Sequence, residues 1–152
     1  MNFTPKLEPT NGEIAKNTYE PVTRYMATHL VTFTPDQEVG EVIETLNAKE
    51  ISGAPVLNEK KELIGMISEQ DCLRVIIDSV YHNQPISKHL VKEYMNKEVV
   101  TVSIEDNIVH VANMFLKHRF RRFPVVENGV LKGQVSKRDI LNAAQKIKPT
   151  TW

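Results

Sequence analysis

The sequence carries one pattern of residues twice. A set of residues in the first half recurs 68 positions later: Leu63, Gly65, Ser68, Asp71 and Leu73 return as Leu131, Gly133, Ser136, Asp139 and Leu141. Earlier pairs recur 69 positions later: Tyr25-Met26 as Tyr94-Met95, Val31-Thr32 as Val100-Thr101, and Pro55-Val56 as Pro124-Val125. The offset changes by one residue inside a turn, where a deletion is tolerated. The chain is therefore a tandem duplication, and the fold must be one that two copies complete together.

Length and charge restrict what these copies can do. A unit of about 60 residues buries too little surface to be comfortably stable alone, so the halves should pack on each other. Hydrophobic residues make up 41% of the 152 residues and charged residues 25%, as is ordinary for a globular protein. Lys plus Arg and Asp plus Glu number 19 each. The net charge of zero argues against a general binder of nucleic acid or membrane surfaces.

The expected location follows from the lack of other signals. No apolar run approaches the roughly 20 residues of a membrane span, and residues 1–14 lack the apolar core of a signal peptide. Cys72 is the one cysteine, so an internal disulfide is excluded, and no spacing typical of zinc ligands is present. Its repeat counterpart is Ile140, which favours a buried apolar role. We expect a cytoplasmic protein without a metal.

The chain divides into four segments. Residues 1–20 are rich in Pro, Thr, Asn, Lys and Glu, which is typical of an arm that is partly disordered or lies over the core. Residues 21–82 form the first unit and residues 91–148 the second unit. Residues 83–90, which contain Pro85, are the predicted linker.

Local patterns predict the same order of elements in both units. In the first unit they predict an extended run at Val31–Phe33, a helix capped by Thr34 with Gln37 closing a capping box, strands at 55–57 and 63–67, and a helix at 69–81. A predicted short helix at 88–95 leads into the second unit, where the patterns predict a strand at 99–102, a helix capped by Ser103, a hairpin around Asn128-Gly129, and a last helix at 137–148. Each unit is thus β-α-β-β-α, and the fold class is α+β.

This order, with Gly-x-x-Ser-x-x-Asp closing the second hairpin strand of each unit, resembles the CBS domain. The pair resembles a tandem CBS module, or Bateman module, from about Pro21 to Lys146. The resemblance implies two units packed sheet to sheet around a pseudo-twofold axis. It also implies two clefts, each able to bind AMP, ADP, ATP or S-adenosylmethionine. Such modules are sensors that commonly form homodimers through their helices and control a partner, which the sequence does not identify.

The resemblance also assigns residues to the two clefts. In the family, the aspartate accepts hydrogen bonds from the ribose hydroxyls, for which a carboxylate has two suitable oxygens. The main cleft is assigned Ser68, Asp71, Val99, Val100, Thr101, Arg121, Arg122 and Pro124. The second cleft is assigned Leu30, Val31, Thr32, Gly53, Ala54, Pro55, Ser136, Arg138 and Asp139.

The two clefts differ at the positions before the hairpin proline. Arg121 and Arg122 precede Pro124, whereas Ser52 and Gly53 are their counterparts. An arginine fork matches phosphate oxygens and stays charged. We therefore expect the Asp71 cleft to be the principal site for a phosphorylated ligand, which makes S-adenosylmethionine the less favoured one. The Asp139 cleft would have only the bases of its own motif, such as Arg138.

Simpler interpretations remain open for these residues. Asp71 and Asp139 each follow a strand and open a helix, where an acid is favourable without any ligand. Arg119, Arg121 and Arg122 could be a solvated helix end, and Arg119 is expected at the surface. The five histidines share no spacing, which argues against a metal site.

The function is predicted to be binding rather than catalysis. The sequence has no Walker P-loop, no Gly-x-Ser-x-Gly and no metal-binding cluster, so we do not expect an enzyme. The leading hypothesis is an adenine-nucleotide sensor, and the alternative is a dimerisation scaffold without a ligand. Candidate dimer surfaces are the apolar helix residues Val39, Ile43, Ile76, Ile77, Val80, Ala112, Ala143 and Ala144.

Overall fold

The computed structural model describes residues 19–146. Its helices are α1 (Val39–Lys49), α2 (Glu69–Tyr81), α3 (Val91–Tyr94), α4 (Ile108–Lys117) and α5 (Lys137–Ala144). Its strands are β1 (Gly53–Leu57), β2 (Leu63–Ser68), β3 (Val102–Ser103), β4 (Arg122–Glu127) and β5 (Val130–Ser136). The predicted arm, except Tyr19 and Glu20, lies outside the described residues, as do the last residues of the predicted final helix.

Both predicted hairpins are confirmed. β1 pairs antiparallel with β2, and β4 pairs antiparallel with β5. Asn128 and Gly129 form the second turn with φ of 49° and 80°. Positive φ at both central positions gives the turn that best matches the twist of a hairpin, and Asn-Gly tolerates that backbone well.

The strand that opens each unit is shorter than predicted. In the second unit it is Val102–Ser103 rather than 99–102, and it runs parallel to β4. In the first unit it is a single parallel bridge from Phe33 to Val56. Val99 and Val100, and their counterparts Leu30 and Val31, lie outside the sheet and line clefts, as described below.

The predicted starts of the two long helices are wrong by several residues. α1 begins at Val39 after Glu38, and α4 begins at Ile108 after Asn107, whose side chain caps the helix. Thr34 and Ser103 instead close separate turns that precede these helices. The delay has a physical cause: Glu38 and Asn107 keep an extended backbone because each pairs with another segment, at Leu90 and Pro21 respectively. The same pairing breaks the predicted helix at 88–95, which leaves only α3 and a short 3-10 turn at Ile86–Lys88.

The two hydrophobic cores exchange the segments that lead into each unit. We call residues 21–31 and 90–100 the lead-in segments. Val22 and Met26 lie at the start of the first unit but pack in the core that contains Val102 and Phe123. Conversely, the core around Ile67 includes the buried Val91, with Tyr94 and Met95 packed against it. Neither core is therefore completed by its own unit.

Reciprocal backbone bonds relate the halves by a pseudo-twofold axis. The Ala27 nitrogen donates to the Gln134 oxygen at 2.8 Å, and the equivalent bond from Asn96 to Met66 is also 2.8 Å. Glu62 bridges to Val130, which is its own repeat counterpart, so the axis passes between them. The expected α+β architecture of two β-α-β-β-α units around a pseudo-twofold axis is confirmed.

Each lead-in segment crosses close to the second hairpin strand of the other unit, and this close approach explains a glycine that both copies contain. A Cβ on Gly133 would lie 2.5 Å from the Met26 sulfur and 2.8 Å from the Ala27 oxygen. A Cβ on Gly65 would lie 2.7 Å from the Met95 sulfur. Each crossing therefore requires a residue without a side chain on the second hairpin strand.

The helix surfaces divide into buried and exposed faces. Val39 and Ala143 are fully buried, so the expectation that they contribute to a dimer surface is wrong. On α2, in contrast, large apolar side chains face outward: Leu73, Ile76, Ile77, Val80 and Tyr81. Cys72 on the inner side of α2 is only 5% exposed, which confirms its predicted core role. Among the helices of residues 19–146, none has the length and apolar character needed to cross a membrane.

Candidate functional site

Two clefts occupy equivalent positions in the duplicated fold. The larger has a volume of about 810 Å³ and the smaller about 300 Å³. Every residue that lines the smaller cleft, other than Arg122, has its repeat counterpart in the lining of the larger cleft. The duplication has therefore produced two versions of one binding surface.

Each cleft is assembled from both units. The larger cleft takes Ser68 and Asp71 from the start of α2, while Val99, Val100 and Phe120 come from the other half of the chain. The equivalent pairing recurs in the smaller cleft, which takes its acid from one half and its apolar wall from the other. The residues concerned are Ser136, Asp139, Leu30, Val31 and Ile51. An occupant of either cleft would therefore touch both units.

The aspartates are held by helix capping boxes. Asp71 Oδ2 accepts bonds from the Ser68 backbone nitrogen at 2.9 Å and from its hydroxyl at 3.0 Å. In the second unit, Asp139 Oδ2 accepts from the Ser136 nitrogen at 2.8 Å, and the Asp139 nitrogen donates to Ser136 Oγ at 3.1 Å. The capping interpretation is thus correct. It still leaves the Oδ1 atom of each carboxylate outside the cap.

The Oδ1 atoms have different surroundings in the two clefts. Arg74 Nη1 lies 3.1 Å from Asp71 Oδ1, and the two side chains are 61% and 8% exposed. The repeat counterpart of Arg74 is Asn142. Within residues 19–146, Asp139 Oδ1 has no hydrogen-bond or ion-pair partner. The duplicated carboxylates therefore offer different hydrogen-bonding capacity to a ligand.

Tyr94 forms part of the wall of the larger cleft, and two residues outside that cleft hold its hydroxyl in place. Its hydroxyl donates to Asp78 Oδ2 at 2.7 Å and lies 3.3 Å from His89 Nδ1. Burial, reinforced by the hydrogen bond to Asp78, raises the pKa of Tyr94 to about 12. His89 Nε2 is buried and has no hydrogen-bond partner among residues 19–146. This arrangement fixes the tyrosine ring against the cleft.

Most residues assigned to the main cleft line the larger cleft: Ser68, Asp71, Val99, Val100, Arg122 and Pro124. Thr101 and Arg121 do not. Their immediate neighbours Val100 and Arg122 line the cleft, but so do Val99 and Arg119, so a simple two-residue alternation does not describe this wall.

The smaller cleft is lined by part of the set assigned to the second cleft: Leu30, Val31, Gly53, Ser136 and Asp139. Thr32, Ala54, Pro55 and Arg138 are not in its lining. Ala54 is only 1% exposed because its side chain lies in the core of the first unit.

Several contributions to the clefts were not predicted from the sequence. Arg122 lines both clefts, so the expectation that the Asp139 cleft has no base before its proline does not describe the assembled structure. Arg119, expected at the surface, is exposed but lines the larger cleft together with Arg74. The spacing of Arg74, one turn after Asp71 on the same helix, was the signal that could have identified it.

The charged side chains give the larger cleft an excess of positive charge. Its basic residues are Arg74, Lys97, Arg119 and Arg122, and its acidic residues are Asp71 and Glu98. Within residues 19–146, no three His, Cys, Asp or Glu side chains are grouped so that they could hold a metal ion. The larger cleft thus combines apolar walls with a cationic rim and one buried carboxylate.

Known proteins are similar to this chain in sequence and in architecture. The chain is 30% identical over 133 residues to the uncharacterized protein MJ1225 of Methanocaldococcus jannaschii, across 88% of this chain and 44% of that protein. The chain thus spans less than half the length of this relative. The crystal structure of the CBS-pair protein CBSX2 from Arabidopsis thaliana has a TM-score of 0.74 at 26% identity, covering 88% of this chain and 100% of that chain. A crystal structure of CBSX2 in complex with AMP has a TM-score of 0.72 at 28% identity, covering 85% and 98%.

A family model gives the assignment directly. The model of the CBS domain matches residues 22–78 and residues 91–146, which correspond to the two copies of the repeat. Together these matches cover most of the chain, and the structural relatives contain the same pair of units. The chain therefore belongs to the CBS domain family and contains two CBS domains in tandem.

Proposed function

We propose that this protein is an adenine-nucleotide-binding regulatory module that controls a separate partner protein. The observation that carries the proposal is the pair of equivalent clefts, each built from a capping-box aspartate of one unit and an apolar wall of the other. The AMP complex of CBSX2, a protein of the same architecture, supports the choice of ligand class. The proposal is for binding and regulation rather than catalysis.

The larger cleft has groups suited to each part of a nucleotide. Val99, Val100 and Phe120 offer an apolar surface to a purine ring. Asp71 has a buried carboxylate for the adjacent ribose hydroxyls, and charge-assisted hydrogen bonds of this kind are strong. Arg122 lies on the cleft rim, where a guanidinium can form two parallel bonds to phosphate. These cations favour AMP, ADP or ATP over the positively charged S-adenosylmethionine.

Regulation follows from contact with both units at once. A nucleotide in the larger cleft would touch the start of α2 and also the lead-in segment of the second unit. It can change the angle between the units only by as much as its affinity differs between the two arrangements. A partner protein that contacts both units would detect that change.

Calorimetry on one variant and its matched control tests the proposal. We expect wild type to bind AMP, ADP or ATP, and Asp71→Ala to bind at least about tenfold more weakly at the larger cleft because a charge-assisted hydrogen bond is lost. Asp106→Ala is the control, because Asp106 also accepts a backbone bond, from the Ser103 nitrogen at 2.8 Å, but lies outside both clefts. Equal losses in both variants, or no nucleotide binding by the folded wild type, would contradict the proposal.

A second candidate function is a dimerisation scaffold. The outward apolar face of α2 favours it, since Val80 and Tyr81 are 78% and 82% exposed. We propose that a second copy of this chain covers this face, forming a homodimer through helices. A nucleotide sensor gains about 2.7 kcal/mol of stability at a ligand concentration about 100 times the dissociation constant, whereas a scaffold with empty clefts gains none. Thermal unfolding with and without AMP therefore separates the two functions.

A further inference from the structure

The two capping aspartates differ in how many acceptor positions they have left for a ligand. An ionised carboxylate has about four lone-pair positions on its two oxygens. On Asp71, Oδ2 accepts from the Ser68 nitrogen and hydroxyl, and Oδ1 accepts from Arg74 Nη1 at 3.1 Å. On Asp139, Oδ2 accepts from the Ser136 nitrogen at 2.8 Å, and no further donor reaches this carboxylate within residues 19–146. About one acceptor position therefore remains on Asp71 and about three remain on Asp139.

Arg74 is placed to keep its contact when a ligand arrives. It lies one helical turn after Asp71 on α2, a spacing at which an acid and a following base pair well. The Asp71 side chain is only 8% exposed, so its charge has lost most of its water and depends on its present partners. A ribose hydroxyl is a neutral donor, whereas the guanidinium is charged and makes the stronger bond to a carboxylate. A hydroxyl should therefore take the remaining position rather than displace Arg74.

The smaller cleft has a different residue at the equivalent position. Asn142 is the counterpart of Arg74 and lies one turn after Asp139 on α5. Arg74 lines the larger cleft beside Asp71, whereas Asn142 is exposed and is not part of the lining of the smaller cleft. The exchange of arginine for asparagine thus changes what the carboxylate can still accept, while the same capping box holds both aspartates.

We propose that Arg74 determines how the larger cleft recognises the sugar of its ligand. With Arg74 on Oδ1, Asp71 can accept only one of two adjacent ribose hydroxyls, whereas Asp139 can accept both. The larger cleft therefore tolerates a sugar that lacks one of these hydroxyls, and the smaller cleft requires both. The inference rests on the proposed function and adds a specificity-determining residue to it. A missing hydroxyl is a sensitive probe, because a site built to bond that group is left with an unpaired acceptor.

The test uses AMP, 2′-deoxy-AMP and 3′-deoxy-AMP, which share the same base and the same phosphate charge. Any effect of Arg74 on phosphate attraction therefore cancels in the ratio of their affinities. Calorimetry in an Asp139→Ala background isolates the larger cleft, and an Asp71→Ala background isolates the smaller one. We expect one of the two deoxy ligands to bind the larger cleft within about threefold of AMP, whereas both bind the smaller cleft about tenfold or more weakly, which is the cost of a charge-assisted hydrogen bond.

Two substitutions exchange this behaviour between the clefts. Arg74→Met removes the charged donor but keeps a long apolar stem, so in the Asp139→Ala background both deoxy ligands should become about tenfold weaker than AMP. Asn142→Arg should do the reverse in the Asp71→Ala background, because it places a guanidinium one turn after Asp139. Asn142→Ala is the matched control and should leave the ratios of the smaller cleft unchanged. Unfolding midpoints equal to those of the background would show that the variants are folded.

The outcomes separate this inference from the proposed function. If AMP binds the larger cleft but Arg74→Met leaves its affinity ratios as they were, the inference is wrong while the proposed function stands. AMP binding that disappears in the Asp139→Ala background would also overturn the inference, because the larger cleft would then hold no nucleotide. If the folded wild type binds none of the three ligands and no other adenine nucleotide, the proposed function fails and the role of Arg74 fails with it.

Discussion

Asp78 and Lys146 occupy the same position in the two repeats, and each contacts a tyrosine of a lead-in segment. Asp78 accepts a hydrogen bond of 2.7 Å from the Tyr94 hydroxyl. Lys146 Nζ lies 5.7 Å from the ring centroid of Tyr25, whose hydroxyl donates instead to Glu20. The same junction is thus held by opposite charges in the two halves. Only the Tyr94 junction lies in the wall of the larger cleft.

The junction between Tyr94 and Asp78 predicts how alkaline pH affects the stability of the folded protein. Burial and the bond to Asp78 raise the pKa of Tyr94 from 10.0 to about 12. A raised pKa in the folded state means that the contribution to stability is complete below pH about 10 and is lost as the pH rises to about 12. We therefore expect the stability difference between wild type and Tyr94→Phe to move against wild type over this range.

Urea unfolding at a series of pH values between 9 and 12 would measure this difference. Other titrating groups are common to both proteins, so the comparison isolates Tyr94. Asp78→Asn should lower the pKa of Tyr94, because the carboxylate that raises it is removed. Parallel stability curves for wild type and Tyr94→Phe would contradict the prediction.

Replacing Gly133 by alanine should lower the stability of the protein, whereas the same replacement of Gly40 in α1 should raise it. Gly133→Ala should destabilise the protein by about 1–3 kcal/mol, since its Cβ would overlap Met26 and overpacking costs this much. Gly40→Ala is the matched control. Gly40 lies in α1, where an added Cβ would have its nearest neighbour at 3.8 Å, so the helix should gain up to about 1 kcal/mol. Chemical denaturation curves with equal slopes would measure both effects, and equal effects of the two variants would contradict the crossing geometry.

The thiol of Cys72 should be almost inert in the folded protein. Burial raises the pKa of this thiol, and the carboxylates of Asp71 and Glu69 raise it further. Because the thiolate is the reactive species, iodoacetamide at pH 8 should label the native chain at least about tenfold more slowly than the urea-unfolded chain. Mass spectrometry of timed samples gives both rates. Native labelling as fast as unfolded labelling would mean that the first core opens readily.

The exposed face of α2 predicts a variant that separates a dimer. Val80→Lys places a charge within the apolar face, at a residue that is 78% exposed, so a homodimer formed through α2 should dissociate while each protomer stays folded. Leu116→Lys on α4 is the control, since Leu116 is also 85% exposed but lies outside that face. Sedimentation velocity at micromolar concentration distinguishes the outcomes. A monomeric wild type would rule out this dimer, and a dimer that survives Val80→Lys would assign the interface elsewhere.

Local sequence patterns predicted the parts of the fold that local contacts determine. The turn at Asn128-Gly129, the helix after Ser68 and the core position of Cys72 depend on neighbouring residues or on the repeat alignment, and they are confirmed. The helix starts at Val39 and Ile108 could not be predicted in this way. They depend on the pairing of Glu38 and Asn107 with segments about 50 to 90 residues distant along the chain.

The cleft residues divide in the same way into those that a local motif predicts and those that depend on contacts between distant parts of the chain. The repeat motif pointed to Ser68 and Asp71, whereas the structure is needed to choose between Arg122, which lines the clefts, and Arg121, which does not. Only the assembled fold reveals that Arg122 reaches both clefts, because that depends on where the second hairpin lies relative to the first unit.

The exchange of lead-in segments makes this chain equivalent to a domain-swapped dimer whose two subunits have been fused head to tail. Val22 completes the core of the second unit, and Val91 completes the core of the first. A cut in the predicted linker at residues 83–90 would thus produce two complementary fragments, each carrying the piece that the other lacks. Each half alone would lack part of its own core, so we expect the two fragments to associate through the exchanged segments.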